Sequence, residues 1–264
     1  MSNAVDWKRL KSAFAQEARR KNSRADADHI VDCLRNFIGI CGEFSVNRRM
    51  LLRIGYWVLE GSLRLLVPCC PDYGYSNGCY TFRGMGGGIS LLAQCHIDFV
   101  EKVSKIFPQI NPWFLVADLE AEDEAILLAV NKTKSEFLDL VSESAEAISK
   151  KVRAWGWKSS FMSECVPDLI RKESEKALEI LNSCEFSQRI ATDTHHRQHL
   201  YRKINSSFSV EQMLVRTRRT AAQYWVLGEY AHAHGFAICN HTTTNLSWYL
   251  KTEAAVLHNP ISVY

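Results

Sequence analysis

Four polar stretches of the chain follow short apolar runs and carry residue types that can do chemistry. They are residues 69–73 (Cys-Cys-Pro-Asp-Tyr), 118–120 (Asp-Leu-Glu), 164–165 (Glu-Cys) and 240–245 (Asn-His-Thr-Thr-Thr-Asn). Thiols can act as nucleophiles, and carboxylates can bind guanidinium groups or metal ions. Because ligands of open parallel sheets bind beyond the carboxyl ends of the strands, we expect these stretches to converge at one edge. The candidate substrate contacts are Asp72, Asp118, Glu120, His241 and Asn245.

A glycine-rich run, Gly84-Met85-Gly86-Gly87-Gly88, stands just before a predicted helix. Backbone amides at a helix N-terminus can hold a phosphate or carboxylate, so Gly86 and Gly87 are candidate ligand contacts. The dinucleotide fingerprint requires a glycine where Ile89 stands, and the Walker pattern requires a lysine after the glycines. Neither pattern is present, and a flexible hinge with a helix cap explains the glycines equally well. We therefore predict no cofactor from this run.

Two other clusters could bind ligands. Residues 122–124 (Glu-Asp-Glu) fit the acids favoured at a helix N-terminus, whereas Asp118 is better explained by a pocket. His195, His196 and His199 have a helical spacing that could hold a metal. The hydrolytic pattern with a Glu between the histidines is missing and basic residues surround them, so we predict a solvated basic face and no metal.

Tyr224 and Glu229 lie on a predicted helix that begins in the basic run 216–219 (Arg-Thr-Arg-Arg). Five residues separate them, which places them about 140° apart around an α-helix, whereas Trp225 and Glu229 share one face. A tyrosine and a glutamate near a basic surface could transfer protons beside a bound polyanion. The alternative is a core tyrosine and a surface glutamate.

The net charge of +3 conceals local clusters. Residues 186–220 contain seven basic and two acidic residues, and residues 1–24 contain the same numbers, so each stretch carries +5. Residues 112–150 carry −6. The basic clusters indicate local attraction to a polyanion, although solvated helix faces are the alternative.

Length and composition limit the class of protein. A chain of 264 residues with 47% hydrophobic and 23% charged residues fits one α/β domain and excludes disorder, collagen and coiled coil. The most apolar stretch, Leu51 to Cys70, is interrupted by three charged residues, so we expect no membrane span and no secretory signal. Nine cysteines without a CxxC pair suit a reducing cytoplasm.

Apolar periodicity predicts three helices in residues 1–60, which pack on a core formed by residues 61–264. Strands of the core are predicted at 63–67, 113–117, 159–165, 236–239 and either 255–257 or 261–263. Core helices are predicted at 89–106, 135–155, 167–181, 186–201, 210–232 and 242–250. Residues 69–88 are predicted to form a long loop. Continuous apolar strands alternating with helices predict a single Rossmann-like α/β domain with a mostly parallel sheet flanked by helices.

The order of these elements resembles that of the tRNA-dependent cyclodipeptide synthases over roughly residues 60 to 264. Residues 63–67 and 114–118 resemble the first two strands of that family, and residues 135–155 resemble its long helix. Residues 223–230 (Gln-Tyr-Trp-Val-Leu-Gly-Glu-Tyr) resemble the segment with its catalytic Tyr and Glu, and residues 236–241 and 256–260 its closing strands. The resemblance implies a domain similar to the catalytic domain of class I aminoacyl-tRNA synthetases, with aminoacyl-tRNA as partner.

The resemblance also implies roles for residues of this chain. Cys70 would receive the first aminoacyl group, Tyr224 and Glu229 would transfer protons, and tRNA phosphate would be contacted by Arg216, Arg218 and Arg219. The chain departs from the family because Cys69 and Cys70 stand where the nucleophilic serine is expected, and because the Tyr and Glu are five residues apart, not four. In the branch that makes arginine-containing products, residues 118–120 would form a guanidinium pocket.

Two other classes of function fit the sequence. One is a Rossmann-type transferase that holds S-adenosylmethionine or a nucleotide with the glycine-rich run and Asp118. The other is a non-enzymatic RNA-binding module in which only the basic clusters matter. No DNA and no membrane partner is predicted.

Overall fold

The structure is a computed structural model. It describes residues 5–24, 26–41, 48–69, 73–76, 79–82, 89–129, 131–166, 175–176, 179, 183–204, 206–241, 249 and 256–259. Its strands are β1 (Leu63–Cys69), β2 (Tyr73–Ser76), β3 (Cys79–Phe82), β4 (Ile110–Val116), β5 (Lys158–Phe161), β6 (Ala237–His241) and β7 (Val256–Asn259). Its α-helices are α1 (Trp7–Arg20), α2 (Ala27–Cys41), α3 (Arg48–Leu59), α4 (Leu91–Ile106), α5 (Glu124–Ala129), α6 (Lys134–Arg153), α7 (Met162–Cys165), α8 (Cys184–Ile204) and α9 (Val210–Ala233). A 3₁₀ helix spans Leu119–Glu122.

Within the described residues, the central sheet has five strands in the order β5-β4-β1-β6-β7, and every neighbouring pair is parallel. Numbered along the chain, this order is 3-2-1-4-5, which is the order of Rossmann folds, and it reverses direction between β1 and β6. The predicted single Rossmann-like α/β fold with a parallel sheet is confirmed.

The two faces of the sheet bury different helices. Because alternate side chains of a strand point to opposite faces, Leu65 and Val67 of β1 join an apolar core with residues of α1–α4 and α6. Leu66, between them, joins a second core with α7 and α9. The three N-terminal helices thus share their core with the sheet. None of the helices in the described ranges combines the length and apolar character needed to cross a membrane.

The long helices begin where the sequence supplies caps. Thr133 and Glu136 form a capping box at the start of α6, and Ser209 and Gln212 form another at the start of α9. Each box satisfies backbone N–H groups that lack partners in the first turn. The two boxes fix where the helices on opposite faces of the sheet begin.

Two predicted elements are wrong. The predicted loop 69–88 contains a hairpin, because β2 and β3 pair antiparallel. Its signal was present in the sequence, since Asn77-Gly78 between aromatic residues is the preferred two-residue hairpin turn. The predicted strand 159–165 ends at Phe161, where α7 begins. The predicted helix 167–181 lies almost entirely outside the described residues, as does 242–250, whereas β7 matches the first alternative for the last strand.

Candidate functional site

The carboxyl ends of three neighbouring strands lie side by side. Cys69 of β1 pairs with Val116 of β4, which pairs with Phe161 of β5. The N–H of Ala117 donates to the Cys69 carbonyl at 2.9 Å. Cys69 and Asp118 therefore lie at the same edge, as predicted, next to the point between β1 and β6 where ligands of this fold bind.

Several predicted contacts at this edge cannot be placed. Cys70, Asp72, Gly86, Gly87 and Asn245 lie outside the described residues, and so do the side chains of Glu120 and His241. The backbone of His241 ends β6, the strand next to β1. The carboxyl ends of β1 and β6 thus lie on the two sides of the position where the strand order reverses.

Asp118 connects β4 to the start of α7. Its Oδ1 accepts the backbone N–H of Ser163 at 3.1 Å, and its Oδ2 accepts the Ser163 hydroxyl. The carboxylate thereby caps the first turn of α7, which favours helix over strand after Phe161. This contact explains why the chain leaves the sheet there. A carboxylate has about four acceptor positions, so Asp118 can bind a ligand while it holds Ser163.

Glu164 and Cys165 were predicted at the end of a strand, and that prediction is wrong because both lie on α7. The Cys165 thiol instead contacts the hydroxyl of Tyr230, with 3.5 Å between Sγ and Oη. Burial raises the pKa of the Cys165 thiol. Burial also raises the pKa of Tyr230, and the contact with Cys165 adds to this effect, so that the pKa of Tyr230 is about 12. These two side chains pack α7 against α9.

Of the two adjacent cysteines, Cys69 is the last residue of β1 and Cys70 lies outside the described residues. Cys69 is 1% exposed, and burial raises the pKa of its thiol to about 12. Because the thiolate is the nucleophile, a thiol that holds its proton this strongly is unreactive. Of the pair, Cys70 thus remains the candidate nucleophile.

Arg216 lies in an ion pair with Asp123. Its two terminal nitrogens lie 2.8 and 2.6 Å from the two carboxylate oxygens, a bidentate geometry that is stronger than a single contact. Both side chains are less than a fifth exposed. Asp123 follows the 3₁₀ helix after β4, so this pair holds the start of α9 beside the carboxyl edge of the sheet. Arg218 and Arg219 follow on the next turn and are half-buried.

Tyr224 and Glu229 lie on different parts of α9. Tyr224 is half-buried against two apolar clusters. Glu229 is 45% exposed and accepts a 2.8 Å hydrogen bond from Trp225 Nε1. The prediction that Trp225 and Glu229 share one face of the helix is therefore confirmed. At 1.5 Å per residue, Glu229 lies about 20 Å along the axis from Arg216. The structure therefore separates Glu229 from the arginines with which it was grouped.

The sequence analysis did not predict a buried polar network formed by Arg189, Asp193 and Tyr249. Asp193, which is 1% exposed, accepts hydrogen bonds from Tyr249 Oη at 2.8 Å and from Arg189 Nε at 3.1 Å. The available signal was charge, since Asp193 is one of two acids among residues 186–220. This network anchors Tyr249, which follows the 240–245 stretch, against α8.

The histidines of α8 do not form a metal centre in the described part of the chain. His195 and His196 are exposed, and among the described residues no group of three or more His, Cys, Asp or Glu side chains could hold a metal ion. His199 has a side chain outside those residues.

Comparison with known proteins adds no family to these observations. No protein-family model matches the chain, and no curated protein sequence matches it.

Proposed function

We propose that the chain is an aminoacyl transferase that takes aminoacyl groups from two charged tRNAs and joins them as a cyclic dipeptide. The observation that carries the proposal is the 3-2-1-4-5 parallel sheet with the arginine-bearing start of α9 fixed beside its carboxyl edge. A ligand site at that edge and basic side chains next to it suit a small acyl group attached to a polyanion. The resemblance of the element order to cyclodipeptide synthases supports the same reaction.

The proposed reaction begins at Cys70. Its thiolate attacks the ester carbonyl of the first aminoacyl-tRNA, the ester C–O bond breaks, and the tRNA 3′ oxygen leaves with a proton. The amino group of the resulting thioester attacks a second aminoacyl-tRNA, which forms a peptide bond and releases the second tRNA. The new terminal amine then attacks the thioester carbonyl, so the ring closes and the thiol returns. No cofactor takes part, and charged tRNA places the reaction in the cytoplasm.

Other side chains have supporting roles in this proposal. Arg218 and Arg219 contact tRNA phosphate, and Asp118 and Glu120 hold the amine or a basic side chain of the substrate. Tyr224 is the candidate for proton transfer because it lies nearer to the arginines than Glu229 does. Glu229 is assigned to holding Trp225 and Lys176, whose Nζ lies 3.4 Å from its carboxylate, rather than to the chemistry.

The test is expression in bacteria followed by untargeted mass spectrometry of the medium. Wild-type protein should release a cyclic dipeptide mass that is missing from the empty-vector culture and from the Cys70→Ala culture. Cys184→Ala is the matched control, because Cys184 is an exposed free thiol at the start of α8 and its loss should change nothing. Full product from Cys70→Ala would remove Cys70 from the reaction.

One observation favours a second candidate, a transferase that uses S-adenosylmethionine or a nucleotide. Asp118 lies two residues past the end of β4, the second strand of the sheet in chain order. Dinucleotide-binding Rossmann folds place the acid that binds ribose hydroxyls near this position. Calorimetry with S-adenosylmethionine and with ATP tests it. Binding that is lost in Asp118→Asn, which keeps an acceptor for the Ser163 N–H, would favour this candidate over the synthase.

A further inference from the structure

A small apolar cleft opens at the start of α9. It has a volume of about 270 Å³ and is lined by Phe208, Glu211, Gln212, Val215 and Arg216. Val215 is 53% exposed, although it lies in the middle of a strongly basic part of the chain. Apolar side chains exposed in such surroundings are typical of binding surfaces.

The neighbours of the cleft are cationic. On a helix, residues three and four apart lie on the same face, so Arg218 and Arg219 stand one turn beyond Val215. Arg202, in the last turn of α8, is exposed, and residues 186–220 carry +5. Arg218 and Arg219 complement the phosphates of a nucleic-acid chain. Apolar contact surface interleaved with guanidinium groups is the composition that binds single-stranded nucleic acid.

The floor of the cleft offers a stacking surface. The Arg216 guanidinium lies 5.3 Å from the centroid of the Phe208 ring, and its pair with Asp123 fixes it there. Unpaired RNA bases stack on aromatic rings and on guanidinium planes, and they are read by hydrogen bonds to their edges. Glu211, which also lines the cleft, supplies carboxylate oxygens suited to exocyclic amino groups of bases.

We propose that this cleft receives an unpaired base of the single-stranded 3′ end of tRNA, with Arg218 and Arg219 at the flanking phosphates. The inference rests on the proposed function and adds the part of the partner that is recognised. Its location supports this end of the tRNA, because Asp123 ties the cleft to the carboxyl edge where the aminoacyl group would react.

The test compares two uncharged RNA hairpins by fluorescence anisotropy at one salt concentration. One hairpin has four unpaired nucleotides at its 3′ end, and the other is blunt. Wild-type protein should bind the overhanging hairpin about 5- to 150-fold more tightly, which is the range expected for one stacked base. In Val215→Glu this preference should fall to about onefold, because the carboxylate fills the cleft.

Val210→Glu is the matched control. Val210 is 55% exposed on the same helix but is not part of the cleft lining, so the same added charge should weaken both RNAs and leave the preference intact. A preference retained in Val215→Glu overturns the cleft while tRNA binding stands. A wild-type dimer that Val215→Glu dissociates identifies the cleft as a self-association surface instead.

The two proposals fail separately. Because both hairpins are uncharged, an intact overhang preference without any cyclic dipeptide in the medium would overturn the synthase and leave the cleft. Wild-type protein that binds neither hairpin would overturn the cleft, and a cyclic dipeptide in the medium would then leave the synthase standing.

Discussion

The two halves of α9 differ in how far their apolar side chains are buried. The second half buries Val226, Leu227 and Ala231 against the sheet. The first half exposes Val210 and Val215 and carries three arginines, of which Arg216 is paired with Asp123. The packed half of α9 thus sets where the arginines of the first half stand relative to the carboxyl edge.

The largest difference between the halves should appear in stability. Val226 is 2% exposed and Val215 is 53% exposed, so the same substitution tests both environments. Val226→Ala should lower the free energy of unfolding by about 2–3 kcal/mol, through lost burial and a cavity. Val215→Ala should change it by less than about 0.5 kcal/mol. Urea denaturation measures both, and equal effects would contradict the assignment of the two halves.

The ion pair between Arg216 in the first half of α9 and Asp123 at the sheet edge should give a measurable interaction energy. A double-mutant cycle of Arg216→Ala and Asp123→Ala should give an interaction energy of about 1–2 kcal/mol, because the pair is bidentate and mostly shielded from water. Urea unfolding of the three variants measures it. If Arg216 served only to contact tRNA, the two substitutions would be additive.

The second half should also respond to alkaline pH. Tyr230 ionises at about 12 in the folded protein and near 10 in the unfolded chain, so the unfolded state releases its proton first. The contribution of Tyr230 to stability should therefore be constant below pH 10 and be lost as the pH rises toward 12. Over this pH range, the urea midpoint of Tyr230→Phe should fall less steeply than the urea midpoint of the wild-type protein. Parallel curves for the two proteins would contradict the burial of Tyr230 against Cys165.

The smallest effect is expected at Glu229. Its partly exposed contacts with Trp225 and Lys176 are weak in water, so Glu229→Gln should change the free energy of unfolding by less than about 0.5 kcal/mol. Cyclic dipeptide output in the bacterial culture should stay within about twofold of wild type, since about 0.4 kcal/mol corresponds to that factor. A loss of a hundredfold or more would restore the proton-transfer role that the resemblance implies.

The sequence predicts the parts of this fold that repeat a local pattern. The apolar run 63–67 identifies β1, because a strand that is buried on both faces leaves a continuous apolar run. The helical periodicity of 135–155 and 210–232 identifies α6 and α9, because a helix that is buried on one face repeats apolar residues every three or four positions. The hairpin β2–β3 was missed although its turn signal was present, since two strands of four residues each are hard to recognise next to the glycine-rich run 84–88.

The candidate site is harder to predict because its contacts join distant positions. Asp118 meets Ser163 across 45 residues, and Arg216 meets Asp123 across 93. No local pattern encodes such pairs, and they change the interpretation of both charged residues. Asp118 gains a structural role as a helix cap, and Arg216 becomes the anchor of the arginines that follow it.

The most direct test of the account is the intact mass of the purified protein after mixing with aminoacyl-tRNA and rapid acid quenching. The account predicts that a fraction of the wild-type protein gains the mass of one aminoacyl group. Cys184→Ala should gain the same mass, and Cys70→Ala should gain none. Wild-type protein that binds the charged tRNA yet keeps its unmodified mass would contradict the central claim that a residue beyond β1 receives the acyl group.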